Sequence, residues 1–173
     1  SIARISGGHI NPAVTVSMVV TQKIGLVKGA MYIVGQLVGA ALGAYLLMAV
    51  IPDASEGTLG AHALAYNIDA GTGLVIEALL TFFLVFVIFA TAVDPRGSSH
   101  LAPVAIGLIV LVDHFIGVPL TGASMNPART FGPALAAGEW KDHWVYWVGP
   151  IVGGIVAAGL YEIVFIRWRT GEN

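Results

Sequence analysis

The sequence contains the same tripeptide, Asn-Pro-Ala, twice, each time directly ahead of an apolar helical stretch. Asn is a preferred helix N-cap and Pro is favoured at the first helical position, so each copy predicts the start of a helix. Because capping uses the Asn carbonyl oxygen, the side-chain NH₂ remains a hydrogen-bond donor. Two such helix starts facing one another would form a dipole-backed site for a small polar molecule. The candidate residues are Asn11, Pro12, Ala13, Asn126, Pro127 and Ala128.

Composition identifies the chain as an integral membrane protein. Its 173 residues are 57% hydrophobic and 10% charged, whereas soluble domains carry about 25% charged residues. Crossing the bilayer takes about 20 apolar residues, and four stretches reach that length, at approximately 29–51, 71–93, 101–120 and 143–166. We therefore expect an all-α protein surrounded by lipid bilayer. The scattered basic residues give no indication of a nucleic-acid partner.

Three spans separate the two tripeptides, and because this number is odd, the two helix starts must enter the membrane from opposite faces. A second internal match supports an inverted repeat, since Tyr32–Gly39 parallels Tyr146–Gly153 at nearly the same offset as the Asn pair. Each half is interpreted as a re-entrant half-helix followed by a Gly/Ala-rich span. One domain covers 1–173, with 1–70 ending the first repeat and 71–173 forming the second.

The start of the sequence predicts a fragment. Ser1 is followed within a few residues by the Gly-rich approach to the first tripeptide. A re-entrant segment needs surrounding helices to satisfy its backbone at membrane depth. We expect two further spans ahead of Ser1, so that four of six transmembrane helices are present.

The basic residues predict the orientation. Six of them share the side from which the first half-helix enters, against two on the other side, Arg129 and Lys141. By the positive-inside rule the six face the cytoplasm, together with the Arg96 loop and the C-terminus. The acidic linker 52–70, with Asp53, Glu56 and Asp69, is then outside. The six residues are Arg4, Lys23, Lys28, Arg96, Arg167 and Arg169.

Two residues near the second tripeptide are candidates for selection of the permeant. Arg129 stands in the first turn of a helix, where the dipole disfavours a cation, so a role at the outer mouth of a pore is more plausible than an incidental loop position. His114 lies within a span, a dozen residues before Asn126. Its spacing to the tripeptide favours a pore-lining position over packing.

Other polar residues within the membrane have less specific interpretations. Glu77 is expected to brace a re-entrant loop, whose unpaired N–H groups need acceptors. Asp113 points about 100° away from His114 on a helix, and either pairing near the interface or a subunit contact is open to it. His9 and His62 are interpreted as loop residues. His143, Trp144 and Trp147 are expected in an interfacial aromatic belt.

The segments Ser6–Thr15 and Thr121–Pro133 resemble the two signature loops of the aquaporin, or major intrinsic protein, family. The resemblance covers the whole chain. It implies six spans with two half-helices, a pore in every monomer, usually a homotetramer, a multi-pass location in the cell membrane, and passive water conduction that excludes protons and ions. It implies no cofactor, no metal and no enzymatic activity.

The resemblance also indicates the water-selective branch. Glycerol facilitators typically have Asp after the second-motif Arg and a basic residue further on, where this chain has Thr130 and Ala134. His114 matches the His of the water-type constriction, beside Arg129. Ala123 stands where many water channels have Cys or Thr, which implies a slightly wider filter. A glycerol or small-solute facilitator and an ion-coupled secondary transporter remain as alternatives.

Overall fold

The computed structural model describes residues 3–52 and 57–167. Asp53, Glu56 and Arg169, which entered the charge comparison, lie outside these residues. The described part contains α1 (Ala3–Ser6), α2 (Pro12–Val20), α3 (Leu26–Val50), α4 (Ala70–Ile88), α5 (Ala102–Thr121), α6 (Pro127–Ala137) and α7 (Val145–Tyr161). Phe89–Val93 extends α4 and Glu162–Arg167 extends α7 as π-helical segments.

Four helices are long and apolar enough to cross a membrane, namely Leu26–Val50, Ala70–Val93, Ala102–Thr121 and Val145–Ile166. They confirm the four spans predicted from hydropathy, with ends shifted by a few residues. The shorter helices α2 and α6 begin at Asn11 and Asn126, which cap them as predicted. The protein is therefore an all-helical membrane fold with two half-helices.

Glycines allow α4 and α7 to pack with their backbones in contact. A Cβ atom at Gly149 would lie 2.9 Å from the Glu77 Cβ, and one at Gly153 would collide with the carbonyl group of Ala78. Small residues at such positions bring membrane helices close together and maximise van der Waals contact. This interface places Glu77 at the centre of the molecule.

Each half-helix lies on one long helix, and the two contacts are related by the internal repeat. Helix α2 packs on α7, where a Cβ at Gly154 would lie 2.7 Å from Ser17 Oγ. Helix α6 packs on α3, where a Cβ at Gly132 would collide with the Ala40 carbonyl. Ser17 corresponds to Gly132, and Ala40 corresponds to Gly154. The same close approach is thus built twice, in opposite orientations.

One face of α3 is uncovered in the described part. Gly35 and Gly39 are the repeat equivalents of Gly149 and Gly153, yet no atom lies within 4 Å of a Cβ placed on either. In the second half, α4 fills the corresponding space. The open face of α3 borders a groove of about 680 Å³ that extends from Ser6 and Lys28 to Asn126 and Arg129.

The two ends of the bundle carry different groups. One end, called the Lys23 end, is where α2, α4 and α7 finish. It contains two ion pairs, Lys23 with Glu162 and Arg96 with Asp94. The opposite end, called the Trp140 end, contains an aromatic cluster formed by Phe131, Trp140, His143 and Trp147. The apolar core lies between them and includes Val14, Met18, Leu80, Leu84, Val85, Phe89, Met125 and Ala157.

Candidate pore site

The two Asn-Pro-Ala segments meet through reciprocal hydrogen bonds. Asn11 Nδ2 donates to the Met125 carbonyl at 2.7 Å, and Asn126 Nδ2 donates to the Ile10 carbonyl at 3.1 Å. The side-chain oxygens face the other way, because Asn11 Oδ1 accepts from Ala13 N and Asn126 Oδ1 accepts from Ala128 N. Each amide therefore uses one N–H for the opposite loop and has a second N–H donor besides.

The loop before Asn126 has a strained backbone. Gly122, Ala123 and Met125 have φ angles of 85°, 55° and 54°. A non-glycine residue in the left-handed region costs about 1–3 kcal/mol and persists only where its surroundings impose it. Gly122 also needs to lack a side chain, since a Cβ there would lie 2.8 Å from His62 Cδ2.

Glu77 holds this loop in its strained conformation. Its Oε1 accepts from Thr121 Oγ1 at 2.7 Å and from Ser124 N at 2.9 Å, while Oε2 accepts from Met125 N at 2.7 Å. The residue is fully buried on α4. Backbone N–H groups of an irregular loop at membrane depth thus find a carboxylate acceptor. Glu77 thus contacts the re-entrant loop for which the sequence proposed it as a brace.

Arg129 reaches back over the loop that precedes it. Its Nη1 donates to the Ala123 carbonyl at 2.7 Å and contacts His62 Nε2. Ala123 is fully buried, and the contact that Arg129 makes with it is to the backbone carbonyl. Arg129 lines the groove together with Asn126 and Ala128. A cation is therefore held one helical turn from the paired amides.

His62 is the residue that sequence reasoning missed. Interpreted as a loop residue, it is only 8% exposed and its ring packs on Tyr146 with centroids 5.4 Å apart. Burial and the charge of Arg129 lower the pKa of His62 to about 3, so the ring is neutral at ordinary pH. No local pattern marks it, because its contact with Arg129 joins residues 67 positions apart.

The neighbours of His62 fix its tautomer. Arg129 has only donors, so His62 Nε2 must accept and Nδ1 must carry the proton. Nδ1 then donates to Thr130 Oγ1 at 3.1 Å, Thr130 donates to Ser124 Oγ, and Ser124 donates to the Asn126 carbonyl at 2.9 Å. A directed chain of hydrogen bonds therefore runs from the Arg129 guanidinium to the second Asn-Pro-Ala segment.

His114 lies near this cluster without joining it. Its Nδ1 contacts the Val110 carbonyl on the preceding turn of α5, at 2.7 Å. In the part of the chain that the structure describes, no hydrogen bond joins His114 to Arg129 or Ala123. The sequence placed all three in one constriction, and only Arg129 and Ala123 are in direct contact.

Asp113 occupies a position that the sequence did not anticipate. It is 2% exposed, one turn before Gly117, where α5 approaches Leu80 of α4. Its Oδ2 has no hydrogen-bond partner among the described residues. Helix α5 therefore turns this side chain inward, which does not fit an outward subunit contact.

Among the described residues, fewer polar groups are hydrogen-bonded around the first Asn-Pro-Ala segment than around the second. Gln36 Nε2 donates to Thr15 Oγ1 at 2.9 Å, and the His9 ring stacks on Tyr32 at 4.7 Å. Within residues 3–52 and 57–167, Gln36 Oε1 and Tyr32 Oη are buried without partners. Both residues line the groove.

Comparison with known proteins identifies the family. Residues 1–161 match the family described as "Major intrinsic protein". The chain is 52% identical over 165 residues to Aquaporin-4 of Homo sapiens, covering 93% of this chain and 50% of the relative. It is 48% identical over 163 residues to Aquaporin TIP4-4 of Zea mays, covering 94% and 64%.

The fold is also similar to that of a solved relative. The X-ray structure of the aquaglyceroporin from Plasmodium falciparum superposes with a TM-score of 0.83 at 27% sequence identity, covering 95% of this chain and 75% of that one. The chain belongs to the major intrinsic protein family, as the two signature segments indicated. It spans about half the length of the Aquaporin-4 relatives that it matches.

Proposed function

We propose that the full-length protein is a passive water channel that excludes protons and ions. The observation that supports this most strongly is the meeting of Asn11 and Asn126, each with an N–H left over beside the N-terminus of a half-helix. A water molecule at this point presents its oxygen to the amides and donates only to its neighbours. Waters on the two sides are then oriented oppositely, which interrupts a proton wire.

Arg129 adds an electrostatic barrier. The guanidinium and the two half-helix N-termini disfavour cations. Glu77 lies against the loop that carries Ala123, and both of its oxygens are engaged by the 121–125 loop. An ion-coupled transporter needs an available carboxylate in the path, so the use of Glu77 as a loop acceptor weighs against that alternative.

The choice of water over glycerol rests on the filter residues. Arg129 is drawn onto the Ala123 carbonyl and His62 fills the space beside it, which narrows the mouth at the Trp140 end. His114, Thr130 and Ala134 favour water by their resemblance to water-type members. The relatives include both aquaporins and an aquaglyceroporin, so glycerol uptake is the alternative that an assay must exclude.

The groove along α3 is where we expect the rest of the pore wall to pack. His9 N and Ile10 N are the repeat equivalents of Ser124 N and Met125 N, and neither has a hydrogen-bond partner in the described part of the chain. Gly35 and Gly39 are open beside them. Two further spans in the full-length protein would cover this face and complete the pore. A homotetramer is the expected assembly.

The basic residues at one end of the bundle support an orientation of the protein in the membrane. Lys23 and Arg96 lie at the same end of the bundle, as the charge count requires. We assign this end to the cytoplasm by the positive-inside rule, in a multi-pass membrane protein without enzymatic activity. Labelling of single cysteines introduced at Gln22 and at Tyr66, from each side of sealed vesicles, tests the assignment. Reaction of a Gln22 cysteine from outside would reverse it.

Reconstitution tests the function. After a hyperosmotic step, vesicles that contain the full-length protein should shrink faster than empty vesicles. They should also keep an imposed pH gradient. Glycerol should not re-swell them. Shrinkage at the rate of empty vesicles, with insertion verified, would contradict water conduction, and re-swelling in glycerol would favour the facilitator.

A further inference from the structure

The half-helix α2 is held at its C-terminal end by an ion pair that has no counterpart in the second repeat. Lys23 Nζ lies 2.8 Å from Glu162 Oε2, with the two side chains 31% and 10% exposed. We propose that Lys23 and Glu162 are positioning residues for Asn11, which fix the depth of α2 along α7 and thereby the pore centre. This inference rests on the proposed channel function.

Lys23 is rigidly attached to the half-helix. Thr21 is the C-cap of α2, and the next residue, Gln22, has a left-handed φ of 59°. The N–H of Lys23 donates to the Met18 carbonyl at 2.8 Å. The N–H of Gln22 donates to the Val19 carbonyl at 3.0 Å. These two bonds form a Schellman motif, which closes the helix tightly. A force on Lys23 therefore acts on the whole nine-residue helix.

Glu162 is equally well fixed on the other side. Its neighbour Tyr161 donates from Oη to Asp94 Oδ2 at 3.1 Å. Asp94 accepts from Arg96 Nη2 at 2.6 Å and from Arg96 Nε at 2.8 Å, and this guanidinium holds the pKa of Asp94 well below its usual range. Arg96 also donates to the Phe165 carbonyl. The end of α7 that carries Glu162 is thus tied to the end of α4.

Helix α2 packs along α7, with Val14 and Met18 in the same apolar cluster as Ala157 and Ala158, and two of its contacts are well separated along the helix axis. The first is the close approach of Gly154 to Ser17 and Ala13, near the pore centre. The second is Glu162, eight residues further along the chain and about 12 Å away at 1.5 Å per residue. The Gly154 contact is a close approach to Ser17 Oγ and the Ala13 carbonyl, whereas the ion pair is a contact between opposite charges at the end of the helix. Any slide would displace Asn11 relative to the Met125 carbonyl.

The second half-helix lacks this device. By the internal repeat, Lys23 corresponds to Gly138 and Glu162 corresponds to Met48, and these residues cannot form an ion pair. The helix contact itself is present in both halves, at Ser17 with Gly154 and at Gly132 with Ala40. The charge pair is therefore an addition to one half-helix and not a requirement of the fold.

The test uses full-length protein in lipid vesicles and nanodiscs. Lys23→Met and Glu162→Gln each remove one charge, the Lys23→Glu with Glu162→Lys double variant reverses the pair, and Lys141→Met removes an exposed lysine at the other end as a matched control. Water permeability per inserted protein and hydrogen exchange of the α2 amides are measured for each.

We expect both single variants to conduct less water, and to exchange their α2 amides faster, by about threefold or more, with α6 amides unchanged. The double variant should recover at least half of both changes, and Lys141→Met should match the wild type. Single variants with wild-type permeability and exchange would overturn the proposal, as would a double variant no better than either single one. If the wild type conducts no water, the proposed function fails, and α2 exchange alone then decides whether the pair positions the half-helix.

Discussion

Replacement of Glu77 by Gln tests how the second Asn-Pro-Ala segment is held in place. The carboxylate accepts three hydrogen bonds from the 121–125 loop. A Gln amide presents NH₂ in place of one carboxylate oxygen. With NH₂ at the Oε2 position, Met125 N faces a donor while Thr121 and Ser124 N keep a neutral oxygen. With NH₂ at the Oε1 position, Ser124 N and Thr121 Oγ1 face the donor and only Met125 N keeps an oxygen.

The magnitude follows from these contacts. A hydrogen bond to a charged group contributes about 1.5–3 kcal/mol, and a buried N–H left unpaired costs about 1–3 kcal/mol. We therefore expect the Glu77→Gln substitution to destabilise the loop by about 3 kcal/mol relative to its open forms, which corresponds to more than about a hundredfold change in the opening equilibrium. The strained φ angles of Ala123 and Met125 would relax once the acceptor is lost.

Hydrogen exchange of the Ala123, Ser124 and Met125 amides measures this equilibrium, and vesicle shrinkage measures its effect on water flow. Glu139→Gln is the matched control, because Glu139 is an exposed carboxylate at the Trp140 end. We expect faster loop exchange and reduced water permeability for Glu77→Gln alone. Loop amides that exchange at the wild-type rate in Glu77→Gln would refute the reasoning.

Three further predictions concern the mouth of the pore. Arg129→Val combined with His114→Ala should admit glycerol or urea and leak protons while water flow persists; unchanged solute exclusion in stopped-flow assays would show that selection occurs elsewhere. Ala123→Cys should make water flow sensitive to mercurials, and continued resistance with normal conduction would remove Ala123 from the constriction. Because the pKa of His62 is about 3 in the folded state and about 6.5 when exposed, packing of segment 57–69 is stable above pH 6.5 and weakens as pH falls, by about 2 kcal/mol at pH 5. The opening equilibrium of this segment, obtained as the hydrogen-exchange rate divided by the intrinsic amide rate at the same pH, should rise on acidification in the wild type and not in His62→Asn. A pH-independent opening equilibrium in the wild type would contradict the assignment.

The spans and half-helices were predictable because their signals are local. Twenty apolar residues identify a membrane helix wherever they occur, and Asn11-Pro12 and Asn126-Pro127 carry their own capping and helix-start chemistry. The repeat and its inversion followed from counting spans. Hydropathy gave the ends of α5 to within one residue, and the four predicted spans are confirmed.

The detailed site was less predictable because it depends on contacts between distant segments. His62 and Arg129 come together only when the linker folds over the end of α5, where Ala65 N donates to the Leu120 carbonyl at 2.9 Å. The inward position of Asp113 depends on how α5 rotates against α4, which helix periodicity alone does not fix. Lys23 was counted as a basic residue, but its pairing with Glu162 required the packing of α2 on α7.

The most direct test of the account is water and proton flux through the full-length protein in the same vesicles, compared between the wild type and the Asn11→Ala with Asn126→Ala double variant. We expect the wild type to conduct water while a trapped pH dye records no proton flux above that of empty vesicles. In the double variant, the capping oxygens and the leftover amide donors are lost together, so water flow should fall or protons should leak. A wild type that carries protons with water, or a double variant that matches the wild type in both fluxes, would contradict the claim that the paired amides orient the permeating water.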